Sequence, residues 1–210
     1  MTGTTTGAGT GRVVIQAAMS LDGFIAGPQH DMDWVFEYAS PDNFPEIVQA
    51  TGAMLSGRNC YEVGLRDTGK PSGEAYGGAW HGPSFVLTHR PPAEAREAGV
   101  RPADGGEAGV PPADAGAAGV TFLSGDIGAA VATAKAAAGA KDLVVLGASV
   151  GGQCLAHGLI DEIHVFVLPV LLGRGTPLYA AVEGEGRVNL EPISSIHSGS
   201  VTALRLAVVK

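Results

Sequence analysis

The sequence is short of charge, of basic charge above all. Only 16% of its 210 residues are charged, and 13 Lys and Arg face 21 Asp and Glu, for a net charge of −8. A chain this acidic carries no stripe to follow a phosphate backbone, which excludes a nucleic-acid-binding footprint. Cysteine is scarce too. Cys60 and Cys154 stand alone, without Cys-x-x-Cys spacing, so they read as reduced thiols of a cytoplasmic protein rather than a disulfide framework. There is no His-Glu-x-x-His and no Cys cluster, so no metal is expected. Long apolar runs are missing: "VFVLPVLLG" (165–173) is far below the roughly 20 residues that cross a bilayer. "MTGTTTGAGTG" (1–11) lacks the charged-then-apolar order of a targeting segment and reads as a loose tail.

What is present is ample apolar material, 45% of the chain, enough for a sizeable core. Residues 91–120, "PPAEAREAGVRPADGGEAGVPPADAGAAGV", are three ten-residue copies placed head to tail. Each has Pro second, Ala third and Ala-Gly-Val last. With almost no large apolar side chain this stretch cannot bury a core and is not a domain; three copies are too few and too short for a solenoid. It reads as a tandem duplication in a surface loop, since loop closure grows only with the logarithm of length; a lid or partner-binding arm is the other reading. One domain over 12–210 then surrounds it, and its two halves can share a site.

The remaining sequence alternates strands and helices. "RVVIQAAMS" (12–20), 53–57, 84–89, 120–125 and 142–147 read as strands. Residues 40–52 read as a helix with Ser40 as N-cap and Gly52 as stop. A helical turn starts at "RNCYEVG", and 126–139 is an alanine-rich helix capped by Asp126. "ASVGGQCLAHG" is a glycine turn and short helix, 161–172 a strand pair or one long strand, and 187–209 a closing hairpin turning near Ser198-Gly199. Short apolar strands separated by helices predict a mostly parallel sheet covered on both faces, with an antiparallel edge.

Three stretches carry chemistry. After the first strand the chain turns through Asp22-Gly23, where open α/β sheets bind ligands; Asp-Gly is also a common turn pair. "GRNCYE" (57–62) begins a helix whose N-terminus favours an anion, with Arg58 adding charge. "LGASVGGQC" (146–154) fits two chemistries. One is a Gly-x-Ser-x-Gly nucleophile elbow at Ser149, for which Asp161 and His164 sit awkwardly close in sequence and His197 is the remaining base. The other is a backbone cradle for a pyrophosphate.

These segments, with "MSLDGFIAG" and the run "LGASVGGQCLAHGLIDEIHVFVLPVLLGRGTPLY" (146–179), resemble the bacterial dihydrofolate reductase-like family that includes the C-terminal reductase domain of the riboflavin-biosynthesis deaminase/reductase. The resemblance spans about 12–208 apart from the repeat. It implies a three-layer α/β fold on a mostly parallel eight-stranded sheet with an antiparallel C-terminal hairpin, NADPH as cofactor, hydride transfer to a C=N or C=O of a small molecule, and a homodimer. Carried over by position, Ala18, Ala26 and Gly27 would line the nicotinamide. Gly57, Arg58, Asn59 and Cys60 would hold phosphates. Thr88, His89, Arg90 and Ser124 would meet the adenosine end. Gly147, Ser149, Val150, Gly151, Gly152 and Gln153 would wrap the pyrophosphate. Asp22 would sit in the substrate pocket as proton donor, with His30, Asp31 and Asp33 behind it, and Trp34 would form an aromatic wall.

Two departures bear on the substrate. Cys60 stands where dihydrofolate reductases usually have Thr. The loop that carries arginines to a sugar phosphate in the riboflavin enzymes is replaced by "TGKPSGEAYGGAWHG" (68–82). A reductase of some other substrate is therefore the leading expectation, with a hydrolase using Ser149 and a non-catalytic cofactor-binding protein as alternatives. His164 and His197 are expected to be structural histidines of the sheet.

Overall fold

The structure, a computed structural model, describes residues 11–91, 119–179 and 187–210. The tail and nearly all of the repeat lie outside the described residues. Among the described residues ten strands form two sheets. In chain order they are β1 (Val13–Ser20), β2 (Phe24–Ala26), β3 (Thr51–Gly57), β4 (Ser84–Leu87), β5 (Val120–Leu123), β6 (Asp142–Val145), β7 (Glu162–Leu168), β8 (Thr176–Pro177), β9 (Leu190–Ser198) and β10 (Val201–Val208). The main sheet runs β5-β4-β3-β6-β1-β7-β10-β9, and β2 pairs with β8. From β5 to β7 every pairing is parallel; β10 and β9 close the sheet antiparallel, turning through Gly199 at φ 57°. This is the expected architecture.

Among the described residues the α-helices are α1 (Pro45–Ala50), α2 (Arg58–Arg66), α3 (Ile127–Ala138) and α4 (Ala148–Ala156). One face of the sheet presents Ile15, Ala53, Leu55, Leu143, Val145, Ile163 and Val165 to α3 and α4, and this is the main core. The opposite face carries a smaller cluster of Trp34, Val35, Phe44, Ile47, Leu168 and Val201. Strand side chains alternate between faces. That is why Gln16 and Ala18 face the second layer while Ile15 and Ala17 face the first.

Two local expectations are corrected. The predicted helix over 40–52 is a 3₁₀ turn, Pro41–Asn43, followed by α1. Pro45 disfavours a helical Phe44 before it, so the helix restarts at the proline. Gly52 is not a stop but part of β3, where a Cβ would lie 2.4 Å from the Ala138 carbonyl oxygen at the end of α3. The 161–172 segment is one strand, β7, and the chain returns only at β8 to clip β2. Among the described residues no helix is long and apolar enough to cross a membrane.

Candidate functional site

A cleft of about 1430 Å³ opens along the carboxyl ends of the parallel strands and over the second face of the sheet. Ligand pockets for one small molecule run to about 1,000 Å³, so this one has room for two. Its polar end is built from backbone. β3 runs into α2 through Gly57, and β6 runs into α4 through Gly147; neither helix has a side-chain cap. The contrast is α3, which also follows a strand, but whose first turn is filled by Asp126 accepting the Ala129 N–H at 3.0 Å. The first N–H groups of an uncapped helix, together with its dipole, form an anion site. Here two such starts stand side by side. A Cβ on Gly57 would meet Val150 Cγ2 at 3.2 Å, and one on Gly147, at φ 85°, would meet Cys60 Sγ at 2.8 Å. Only glycine fits at Gly147, for reasons of both conformation and space.

Ser149, Val150, Gln153, Asn59 and Cys60 line this end, and Thr88 and His89 extend it past β4. Burial pushes the Cys60 thiol up, so it is a neutral wall rather than a nucleophile. Arg58 also lines the cleft; its Nε pairs with Glu62 Oε1 at 2.6 Å and its Nη1 donates to the Arg90 carbonyl at 3.2 Å. It is the only Lys or Arg among the described lining residues.

Several residues implied by the resemblance stand elsewhere. Gly151 and Gly152 are buried within α4, and a Cβ on Gly151 would touch Ile15 of β1; the cleft meets α4 one turn earlier, at Gly147, Ala148 and Ser149. Ala18 and Ala26 line the cleft; Gly27, Arg90 and Ser124 border it without lining it. Trp34 is a core residue, 8% exposed, with Nε1 donating to the Asp31 carbonyl at 3.2 Å. Asp22 is the instructive case. Its carboxylate accepts from Ser20 Oγ at 2.6 Å, Leu172 N at 3.1 Å and Gly173 N at 2.7 Å. The Ser20 hydroxyl first, then the two backbone N–H groups, hold its pKa below the usual carboxylate value. It clamps the β1–β2 turn to the loop after β7, and it is not among the cleft-lining side chains.

His30, in contrast, lines the cleft beside Ala26 in a left-handed conformation, φ 59°, with Nδ1 3.2 Å from Thr176 Oγ1. Ser149 has no histidine partner among the described residues. His164 is bonded to Glu162 and Arg205, and His197 to Thr202. A nucleophile without a base does not make a hydrolase.

Sequence reasoning missed the cleft's second half. Gln16, 5% exposed, and Tyr76, at φ 50°, meet across it, and Tyr76 Oη also lies 2.9 Å from Thr51 Oγ1. The signal for Gln16 was there: a lone amide in the apolar strand "VVIQAAMS". Tyr76 lies in a glycine-rich loop of 3₁₀ turns with no periodicity to read.

Strand order, the flanking helices and a cleft across the strands' carboxyl ends define a dihydrofolate reductase-like α/β domain. Within that class the chain belongs to the RibD C-terminal domain family, whose model matches residues 12–204. It is 25% identical over 183 residues to the uncharacterised protein YwjB of Bacillus subtilis (strain 168), covering 86% of this chain and 89% of that one. A putative riboflavin biosynthesis protein from Shewanella sp. PV-4 superposes with a TM-score of 0.69 at 23% identity, over 95% of this chain and 99% of that one. A dihydrofolate reductase from Enterococcus faecalis, complexed with NADP(H), superposes with a TM-score of 0.57 at 14% identity, covering 96% and 99%.

Proposed function

We propose that the protein is an NADPH-dependent reductase of a small molecule that is not the riboflavin intermediate. The observation that carries this is the pair of uncapped helix starts, Gly57–Asn59 and Gly147–Ser149, facing one trough. Glycine at both caps lets a pyrophosphate reach backbone N–H groups, and Arg58 and His89 extend the trough toward a 2′-phosphate. Ala18, Ala26 and Ile25 supply the flat apolar surface that a nicotinamide needs. The chemistry such a cofactor supplies when bound is hydride transfer.

The chain's own work is to orient and to handle a proton. Asp22 holds the turn that shapes the nicotinamide end. Among the described residues no Asp lines the cleft and its one carboxylate, Glu74, belongs to the 68–82 loop; the donor beside Ala26 is His30, whose Nδ1 is held by Thr176, or water next to it. The homodimer expected from the resemblance would form along β9, the outer edge strand, which exposes Leu190, Ile193 and Ile196. An apolar open edge is a pairing surface, and sedimentation of wild type against Ile193→Lys/Ile196→Lys tests it. The cofactor reading is tested by fluorescence titration with NADPH. Saturable binding that Gly147→Val removes, in a chain that stays folded by circular dichroism, is the expected result. Equal binding by that variant would move the cofactor elsewhere.

A further inference from the structure

The second half of the cleft specifies the substrate class, and the argument rests on the reductase reading above. Met32, Val35, Phe44, Ile47 and Phe166 wall it, and Arg58 stands at the other end, on α2. A phosphate or carboxylate carried in here would lose its water with no Lys or Arg among the described lining residues beside it. The polar groups at its base are the Gln16 amide and the Tyr76 hydroxyl.

Those groups obey a proton count. Thr51 Oγ1 lies 2.9 Å from the Ile47 carbonyl oxygen, Tyr76 Oη lies 2.9 Å from Thr51 Oγ1, and Tyr76 Oη touches the Gln16 amide. The three contacts run in series. The carbonyl has no proton to give, and Thr51 and Tyr76 have one each. Burial pushes the Tyr76 phenol up to about 12, so it keeps its proton. As placed, Gln16 Oε1 faces Tyr76 Oη. With that orientation two protons must serve three contacts. One contact is then left without a proton: the Thr51–Tyr76 pair, the Ile47 carbonyl, or the Tyr76 oxygen against Gln16 Oε1. A half-turn of the Gln16 amide exchanges Oε1 and Nε2 and supplies the missing proton. Tyr76 is held at φ 50°, a strained conformation for a tyrosine that persists only where the surroundings impose it.

We infer that the Gln16 amide turns its nitrogen to Tyr76, leaving its carbonyl oxygen as an acceptor in the cleft, and that the substrate is an uncharged, ring-sized molecule whose N–H or O–H meets that oxygen. The bonds then run one way: Gln16 N–H to Tyr76, Tyr76 O–H to Thr51, Thr51 O–H to the Ile47 carbonyl. Among the described residues Tyr76 is the only hydrogen-bond partner of the Gln16 side chain, so one end of the amide remains for a ligand.

Two measurements on the full chain test this. In the ¹⁵N-labelled protein, the Gln16 Nε2 protons, identified by their loss in Gln16→Met, should show nuclear Overhauser contacts to the Tyr76 ring. Absence of those contacts would overturn the orientation. The NADPH-saturated chain is then titrated with quinazolin-4(3H)-one, its N3-methyl derivative and its 2-carboxylate. The N–H compound should bind about tenfold more tightly than either of the others, the size of one hydrogen bond left unmade. Gln16→Met should erase the preference while keeping NADPH affinity. Equal binding of the three, or of none, overturns the substrate class. Binding of NADPH is read first and separately. A chain that ignores NADPH yet prefers the N–H compound would sink the cofactor reading and leave Gln16 standing.

Discussion

The two ends of the parallel strands are built on opposite plans. At the amino ends Arg12 bridges Asp142 at 2.8 Å and Glu162 at 2.6 Å; Arg205 and His164 add bonds to Glu162 at 3.0 and 2.8 Å. Each of these charges has a partner. At the carboxyl ends the cleft is nearly without charge, and its donors are bare backbone at Gly57 and Gly147. Where the chain holds itself together it pairs its charges. Where it receives a ligand it leaves dipoles open for a charge that the ligand brings.

The largest effect should come from breaking the paired end. Burial works against the Glu162 charge, but hydrogen bonds from His164, Arg205 and Arg12 outweigh it and bring the carboxyl down to about 2. Removing it leaves Arg205 without a carboxylate and Arg12 with Asp142 alone. Glu162→Ala should lose roughly 3 kcal/mol by denaturant titration, the low end for a buried pair because both arginines are about one-third exposed, while NADPH affinity of the folded protein is kept. A loss under about 0.5 kcal/mol would mean that the cluster is no stronger than a surface pair. The pH dependence has a defined sign. Glu162 is depressed in the fold, so its stabilisation is complete above the ordinary 4.5 and lost as pH falls toward about 2. Burial foremost lowers His164 below 6.5, so its share is lost as pH falls below that value. Melting temperature should therefore decline from mildly acidic pH downward, and Glu162→Gln should flatten the lower part of that curve.

The open end should respond first in binding, with some stability also lost at Gly147, whose φ of 85° and contact with Cys60 leave no room for a side chain. Gly147→Val should weaken NADPH by about a hundredfold or more, about 2.7 kcal/mol. Its mirror is Asp126→Ala, which strips the cap from α3: about 1 kcal/mol of stability is lost and binding is untouched. If both variants behave alike, capped and uncapped helix starts do not differ in purpose.

A smaller effect separates the cofactors. A charge-assisted contact from Arg58 or His89 to a 2′-phosphate is worth about 1.5–3 kcal/mol. NADPH should bind more tightly than NADH by about tenfold or more, and Arg58→Ala should narrow the gap. Calorimetric titration with both nucleotides decides it; equal affinities would remove these residues from the adenosine end.

The same comparison explains what could be read in advance. The polar end of the cleft is written in short contiguous motifs, "GRNCYE" and "LGASVG", because backbone-built sites need glycines at fixed places beside a strand end. The parallel sheet was legible for a similar reason: its strands are short apolar runs, and β3, β5 and β6 each lead into a helix. The apolar end was not legible. Gln16, Thr51, Tyr76 and Phe166 come from four separate elements and meet only through the register of β1 on β7 and the path of the 68–82 loop. Asp22 was open to two readings because a carboxylate at the end of a first strand serves equally as acid or clamp; its bonds from Leu172 N and Gly173 N favour the clamp. Asp22→Asn, with one carboxylate oxygen replaced by a donor, should loosen the loop after β7 and leave NADPH affinity nearly unchanged.

The smallest effect is expected from the most conspicuous feature of the sequence. The repeat connects β4 to β5, which are parallel neighbours, with Ser84 opposite Val120. A parallel connection must cross over and needs about a dozen residues or more. Removing residues 101–120 leaves about that number and puts Val100, with the same Ala-Gly before it, in the place of Val120 at the start of β5. Shortening the connection from about thirty residues to about a dozen favours the fold by roughly 0.9 kcal/mol of closure entropy. A melting temperature equal to or slightly above wild type is therefore expected, with NADPH affinity unchanged. Gly119 and Val120 line the β5 end of the cleft, so a second outcome has a clear meaning. If affinity falls while stability holds, the repeat covers that end as a lid, and the open end of the strands is less open than its backbone suggests. If stability falls by several kcal/mol, the copies pack on the sheet and the reading of an inert duplication is wrong.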